Sequence, residues 1–488
     1  MHSYIRLEVI KLINLVRNEL CKILSKKAIY VYTIIVLFLL VFMAGVSRNF
    51  NEEIVVDSSY ADALEDGLSS YDLTDSYELS MYIGDRAIID KTRLSVSYKE
   101  DSPERYYIDT VIQPLMVEKY TFEYKDKDLE SAKKVETEIQ DGIKKIKNFD
   151  WKQYLLEEKV RVEKNIKDLE AMLVANNEKI ESNIALETLK IELWCLNYRI
   201  ENKIPFSYGA ESNVIDAYKE DAVKYLSIVK DESLIKNHDD LVEKRRIESN
   251  YKVALYKLEN GLVNKNESML EYIVSCFSYI DGLIVVAIII ICGSIISEEF
   301  NKGTIKQLLT KPFSRWKILT SKIIASLLVI FVFALLYNTV FILANCYEYN
   351  DFSSVLGTSV VYDFNLGKVR EVNFLLHCLY GFVSVLPAYI ILFLIVLFIG
   401  ILTTNSVACI SGGFLIYLFN DLLSLWLKPK VLSYIPFACW DLSSFMFGRL
   451  SSNAYASFGK SLAVDIITIL VLLVLSYILF NKKEVKNQ

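Results

Sequence analysis

The sequence predicts an all-α membrane protein. It has six transmembrane helices, an N-terminal interfacial helix, and a mainly helical, coiled-coil-like extracellular domain inserted between the first two spans. Three observations carry this. First, of 488 residues 53% are apolar and 23% charged, and the two kinds are segregated along the chain. Second, residues 47–272 hold 33 Lys and Arg against 47 Asp and Glu, a net of −14, whereas the remainder holds 21 against 13, a net of +8. Third, apolar residues within 162–262 recur at alternating three- and four-residue steps. A simple soluble enzyme is excluded, because a hydrocarbon core of ~30 Å needs about 20 apolar residues per helix and the chain supplies that run six times.

Residues 1–27 form the first element. Ile5, Val9, Leu12, Val16, Leu20 and Ile23 share one face, while Arg6, Lys11, Arg17 and Lys22 occupy others. A basic amphipathic helix directly before a span belongs in the membrane interface. The spans follow at 28–46, 273–297, 323–346, 375–402, 406–427 and 462–480. In lipid every backbone polar group must be paired within the segment, so these runs are helices. Lys and Arg concentrate in the N-terminal arm, in the loop 298–322 and in the tail 481–488: fifteen, against six in the two short loops on the other face. The positive-inside rule therefore places both termini in the cytoplasm and 47–272 outside. The charged leader and the first apolar run are both too long for a cleaved signal, so the first span is a signal anchor.

In the outer block, residues 51–128 are rich in Tyr, Asp and Ser with weak periodicity. Leu94-Ser-Val96-Ser-Tyr98 alternates, so short strands, loops and some helix are expected there. Beyond Leu129 the pattern is helical. Val162, Ile166, Leu169 and Leu173 make one seam, and Leu186, Leu189, Leu193, Leu196 and Ile200 another. Further seams run through Ile215, Tyr218 and Ala222 and through Leu255, Leu258 and Leu262. Such seams imply antiparallel, coiled-coil-like packing, with a break from Ile204-Pro205 to Tyr208-Gly209.

Chemistry of its own is not expected of this chain. The eight Cys are scattered without a CxxC pair and the three His are isolated, so neither a disulfide framework nor a metal site is expected. Gly459-Lys460-Ser461 resembles the end of a phosphate loop, but Ala454 stands where its first glycine belongs. Ser411-Gly412-Gly413 lies inside an apolar helix, where small residues permit close helix packing. No cofactor and no nucleic acid are expected on the chain.

The most informative stretch runs from Glu298 to Lys322. Glu298 and Glu299 close the second span with two carboxylates at a helix C-terminus, the unfavourable end of the macrodipole, so something must compensate them. Gly303 breaks the helix, and Thr304 with Gln307 makes a capping box. Ile305, Leu308 and Leu309 give a short helix one apolar side, Pro312 stops it, and Ser314 followed by Arg315 opens the third span. The product is a short amphipathic helix held at both ends, shaped to enter a groove on another protein and to push on two spans at once.

This run, in this place among six spans, resembles the permease subunits of the ABC-2 family of ATP-binding cassette transporters. The interfacial N-terminal helix and the Pro-punctuated segment before the last span are similar to that family too. The resemblance covers roughly 1–50 and 273–488 and leaves out 51–272, the large insertion. It implies a homodimer or heterodimer of permease chains in the bilayer, driven by two copies of a cytoplasmic ATP-binding subunit that holds the ATP and Mg. Glu298, Glu299, Gly303, Thr304, Leu308, Leu309, Pro312, Ser314 and Arg315 would then form the coupling element. Export of a peptide, lipid-like or drug-like substrate across a bacterial plasma membrane is the expected function. The alternative is a membrane-anchored sensor or scaffold whose outer domain binds a ligand or wall component.

Intramembrane polar residues complete the reading. Asp281 and Asp465 sit toward the outer ends of their spans and are expected to face water. Asn420 and Asp421 in the fifth span are candidates for a pathway or dimer contact. Pro387 is placed to kink the fourth span. The segment 428–459, apolar but interrupted by Pro436 and Asp441, reads as a re-entrant or interfacial hairpin on the outer side.

Overall fold

The computed structural model describes residues 2–51, 58–176, 183–230, 235–263, 267–295, 299, 314–364, 366–436, 442, 445, 453 and 455–483. The chain divides into two compact units: Met1–Asn49 with Ile235–Ser249 and Asn266–Gln488, and Phe50–Leu234 with Asn250–Lys265.

The first unit begins with α1 (His2–Leu24) and α2 (Lys27–Asn51). It resumes after the second unit, whose helices lie between Ser58 and Lys230, and after α11 (His238–Asn260), which contributes to both. Then come α12 (Glu267–Ile295) and α13 (Arg315–Glu348). The one-turn helix α14 (Ser353–Leu356) leads into the antiparallel hairpin of β1 (Thr358–Asp363) and β2 (Lys368–Asn373). In this hairpin Thr358 pairs with Asn373 and Asp363 with Lys368. The unit ends with α15 (Phe374–Thr403), α16 (Ser406–Trp426), the short α17 (Pro429–Leu432) and α18 (Phe458–Lys482).

Among the described residues five helices are long and apolar enough to cross a membrane, at Lys27–Val46, Tyr272–Ile291, Arg315–Glu348, Phe374–Thr403 and Phe458–Lys482. In α16 the apolar stretch is the shorter Ser406–Phe419. The helices α2, α13, α15 and α18 overrun the expected spans at both ends. The overrun matters most at α13, whose helix starts at Arg315 and absorbs Lys317 and Lys322 from what the sequence reads as loop. One core, running through Ile23, Val36, Ile288, Ile318, Phe393 and Phe480, joins the helices of this unit. The small residues of α16 do pack as expected. A Cβ on Gly413 would stand 2.8 Å from Val396 and 3.3 Å from Ile289, and one on Gly412 3.2 Å from Ile399. The β-hairpin was not foreseen: its strands bury little (only Tyr362 is buried), so hydropathy alone gives no signal there.

The second unit is more helical than its sequence suggests. The Tyr-, Asp- and Ser-rich stretch contains α3 (Ser58–Gly67), α4 (Ser76–Ser95), α5 (Pro103–Tyr107) and α6 (Gln113–Tyr120), with π-helical turns at Ile108–Ile112 and Thr121–Asp126. No strand occurs among its described residues; Leu94 and Ser95 end α4 instead of starting one. The helix starts are side-chain capped: Asp75 accepts from the backbone N–H of Tyr77 and Glu78, and Ser102 from that of Arg105. Burial of Ile83, Ala87, Ile108, Ile112 and Met116 with α7 (Leu129–Ile146) then outweighs the polar composition.

The seams fare better. Leu155 and Val162 of α8 (Trp151–Ala175) pack with Leu196 of α9 (Ile184–Asn202), flanked by Ile166, Leu189 and Leu193. Ile215 of α10 (Ala210–Lys230) is buried with Cys195 and Leu258. At the expected break after α9, Lys203 takes a left-handed conformation (φ 58°). The turn that follows is organised by buried Arg199, which donates to Pro205 O (2.9 Å), Ser212 Oγ (2.8 Å) and Asp216 Oδ1 (2.7 Å).

Candidate functional site

The site is a charged junction at the end of the first unit where α1, the residue Glu299 and the start of α13 meet. α1 packs on α13, with Leu15, Glu19 and Ile23 buried and Leu12, Val16 and Leu20 half-buried along one face. Glu19 thus occupies the apolar face of an amphipathic helix, a position that a carboxylate tolerates only when paired. Its partner is Lys322, in the second turn of α13, whose side chain is 1% exposed. The Lys322 ammonium lies 2.8 Å from Glu19 Oε2 and 2.8 Å from Glu299 Oε2, and Lys22 closes the figure at 2.9 Å from Glu19 Oε1 and 2.9 Å from Glu299 Oε1.

Two carboxylates and two ammonium groups form a closed, electrically neutral ring, and this is the compensation that Glu299 requires. Burial works to raise the pKa of the Glu19 carboxyl. Lys322 and Lys22 outweigh it and hold that carboxyl below its ordinary range. Burial likewise works to lower the pKa of Lys22, and the two carboxylates overcome it, leaving its ammonium harder to deprotonate than usual.

Next to the ring, two cations fasten helix ends. Arg315 donates to the carbonyls of Asn481 (2.9 Å) and Lys483 (3.1 Å) at the end of α18. Lys483 in turn donates to Leu402 O (3.0 Å) and to Ile401 O at the end of α15. Orphan carbonyls and the negative end of the helix dipole both favour a cation there. A hydroxyl contact between Thr320 and Tyr477 (2.8 Å) ties α13 to α18 one turn deeper. The start of α13 is therefore anchored to α1, Glu299 and α18, and through Lys483 to α15.

A family model described as ABC-2 family transporter protein matches residues 13–485. The chain belongs to that family. No curated protein and no solved structure matches it. The matched range extends from one side of 51–272 to the other.

In this ABC-2 chain the expected coupling residues divide. Glu299 and Arg315 stand on either side of 300–313 and are tied into the same helix ends. Ser314 is the N-cap of α13, as expected, but its side chain makes no capping hydrogen bond; its carbonyl accepts from Lys317 (3.0 Å) instead. Glu298, Gly303, Thr304, Leu308, Leu309 and Pro312 lie outside the described residues, as does most of 437–452. Asn420 and Asp421 fall within α16, and their side chains lie outside the described residues.

Two carboxylates depart from expectation. Asp465 is fully buried rather than facing water. Asp281 is the middle residue of α12, half-buried, and accepts a hydrogen bond from Tyr389 (2.5 Å). The residues that sequence reasoning missed are Glu19, Lys22, Lys322 and Lys483 as partners. The available signal was Glu19 itself, an acid four residues from both Leu15 and Ile23 on a buried stripe.

Proposed function

We propose that the chain is the permease subunit of an ATP-binding cassette transporter, driven by a separate ATP-binding subunit that docks at residues 299–315. Membership of the ABC-2 family supports a transporter, and the neutral ring carries the coupling role. A push on 300–313 is delivered to Glu299 on one side and to α13 on the other. Because Lys322 and Lys22 hold Glu299, Glu19 and α13 in one cluster, α1 and the start of α13 move together with the turn. A simple stop-transfer loop needs positive charge but no four-membered ion cluster closed around a buried lysine.

The full reading has α16 as a sixth span, both termini in the cytoplasm of a bacterial plasma membrane, and two ATPase copies serving a pair of permease chains. ATP and Mg sit on the partner, and this chain is not itself an enzyme. The substrate is a peptide, lipid-like or drug-like molecule moved outward, with the second unit standing outside.

The test is Mg-ATPase activity of the complex purified through this chain from its native membrane. Leu308→Asp, which puts a charge on the apolar side of the expected coupling helix, is predicted to lower that activity at least tenfold, or to lose the ATPase from the preparation. Unchanged activity with the ATPase retained would contradict the coupling role. If no ATPase accompanies the wild-type chain, the sensor or scaffold reading replaces it.

A further inference from the structure

A small cavity lies inside the first unit among α12, α13 and α15. Its volume is about 20 Å³, room for one water-sized group. Asp281 of α12, Asn338 of α13, and His377 and Tyr389 of α15 line it, with the rings of Phe277 and Phe382. His377 and Tyr389 are 4% and 3% exposed. Among the described residues that line it there is no Lys or Arg.

We propose that this cavity is a binding site for a small monovalent cationic group, either the head of a primary alkylammonium or an alkali ion. The donor set argues for a cation. Asp281 brings a carboxylate, already fixed by the Tyr389 hydroxyl at 2.5 Å. The amide nitrogen of Asn338 donates to Ala334 O at 2.8 Å, so its other end, the acceptor oxygen, is the one not used in that bond. Tyr389 adds a phenolic oxygen, and the ring N atoms of His377 include Nδ1, 3.3 Å from Ser359 Oγ. Three oxygen-bearing side chains from three different helices match the three N–H donors of an ammonium group. The position argues likewise, because Asp281 is at the middle of a spanning helix, where ionisable residues mark ligand or ion sites. The size favours a small head.

The test is thermal unfolding of the purified full chain in NaCl, methylammonium chloride or N-methylglucamine chloride at equal ionic strength. The wild type is expected to show a saturable rise in Tm of several degrees with a small cation and none with N-methylglucamine. A rise confined to NaCl identifies an alkali site, and one confined to methylammonium an alkylammonium site. Asp281→Asn is expected to abolish the rise. Tyr389→Phe keeps the carboxylate but removes one of the three oxygens, and is expected to retain the rise with half-saturation weakened about tenfold. If Asp281→Asn does not fold, Asn338→Leu decides instead, with an expected weakening of half-saturation of about tenfold. Identical Tm in all three salts, or an undiminished rise in Asp281→Asn or Asn338→Leu, would overturn the proposal. No ATPase is present in this test, so its failure is separate from a failure of the coupling role.

Discussion

Lys322 sits between Glu19 and Glu299 with its side chain 1% exposed. Taking one partner from such a cluster leaves an uncompensated buried charge, which costs roughly 3–5 kcal/mol. Lys322→Met is therefore predicted to destabilise the chain by about that amount in equilibrium unfolding. Glu19→Gln with Lys322→Met together should cost less than the sum of the two, the signature of a direct pair. The pH dependence has a definite sign. Glu19 titrates below its ordinary 4.5 when folded, so the stability it contributes is complete above that pH and is lost as pH falls through the lowered value. Lys22 titrates above its ordinary 10.5, so its contribution is complete below that pH and is lost on the alkaline side. The stability gap between wild type and Glu19→Gln should be constant at neutral pH and close as the solution becomes acidic. This ring was only half legible in the sequence. That Glu299 needed a counter-charge followed from the helix dipole. That it came from Lys22 and Lys322, hundreds of residues apart or across a turn, depends on tertiary packing that no local pattern encodes.

At the scale of elements, close helix approach is set by glycine. Gly413 faces Val396 and Ile289, and Gly293 faces Ile410 too closely for any side chain. Gly413→Val is predicted to lower Tm through overpacking worth about 1–3 kcal/mol. By contrast Gly84, inside α4 with nothing within 4 Å of an added Cβ, is predicted to gain about 0.5–1 kcal/mol on Gly84→Ala from helix propensity alone. Thermal unfolding of the two variants checks both signs. Spans and seams were legible because burial writes a period into the sequence. Residues 58–126 were not, because their helices rest on Asp and Ser caps and on scattered aromatic contacts such as Tyr107 with Phe149 and Tyr154. The hairpin β1–β2 was missed for a related reason: six residues per strand with one buried side chain carry no hydrophobic alternation to read.

At the scale of the whole molecule, the charge asymmetry seen along the sequence coincides with the division into two units. The acidic block falls almost entirely in the second unit, and the apolar, basic remainder in the first. The helices of the first unit that are long enough to span present Phe38, Val332 and Ile467 outward, as lipid contact requires. Within this unit α13 separates two ends about 50 Å apart by helix rise. The ring and the Arg315 and Lys483 latches lie at one end, and the hairpin with exposed Leu366 follows the other. Docking of a motor subunit at 299–315 is tested by photo-cross-linking the native complex from a benzoylphenylalanine placed at position 308 or at position 366. A cross-link to an ATP-binding subunit is expected from 308 and none from 366. No such cross-link from 308, or one of equal yield from 366, would contradict it.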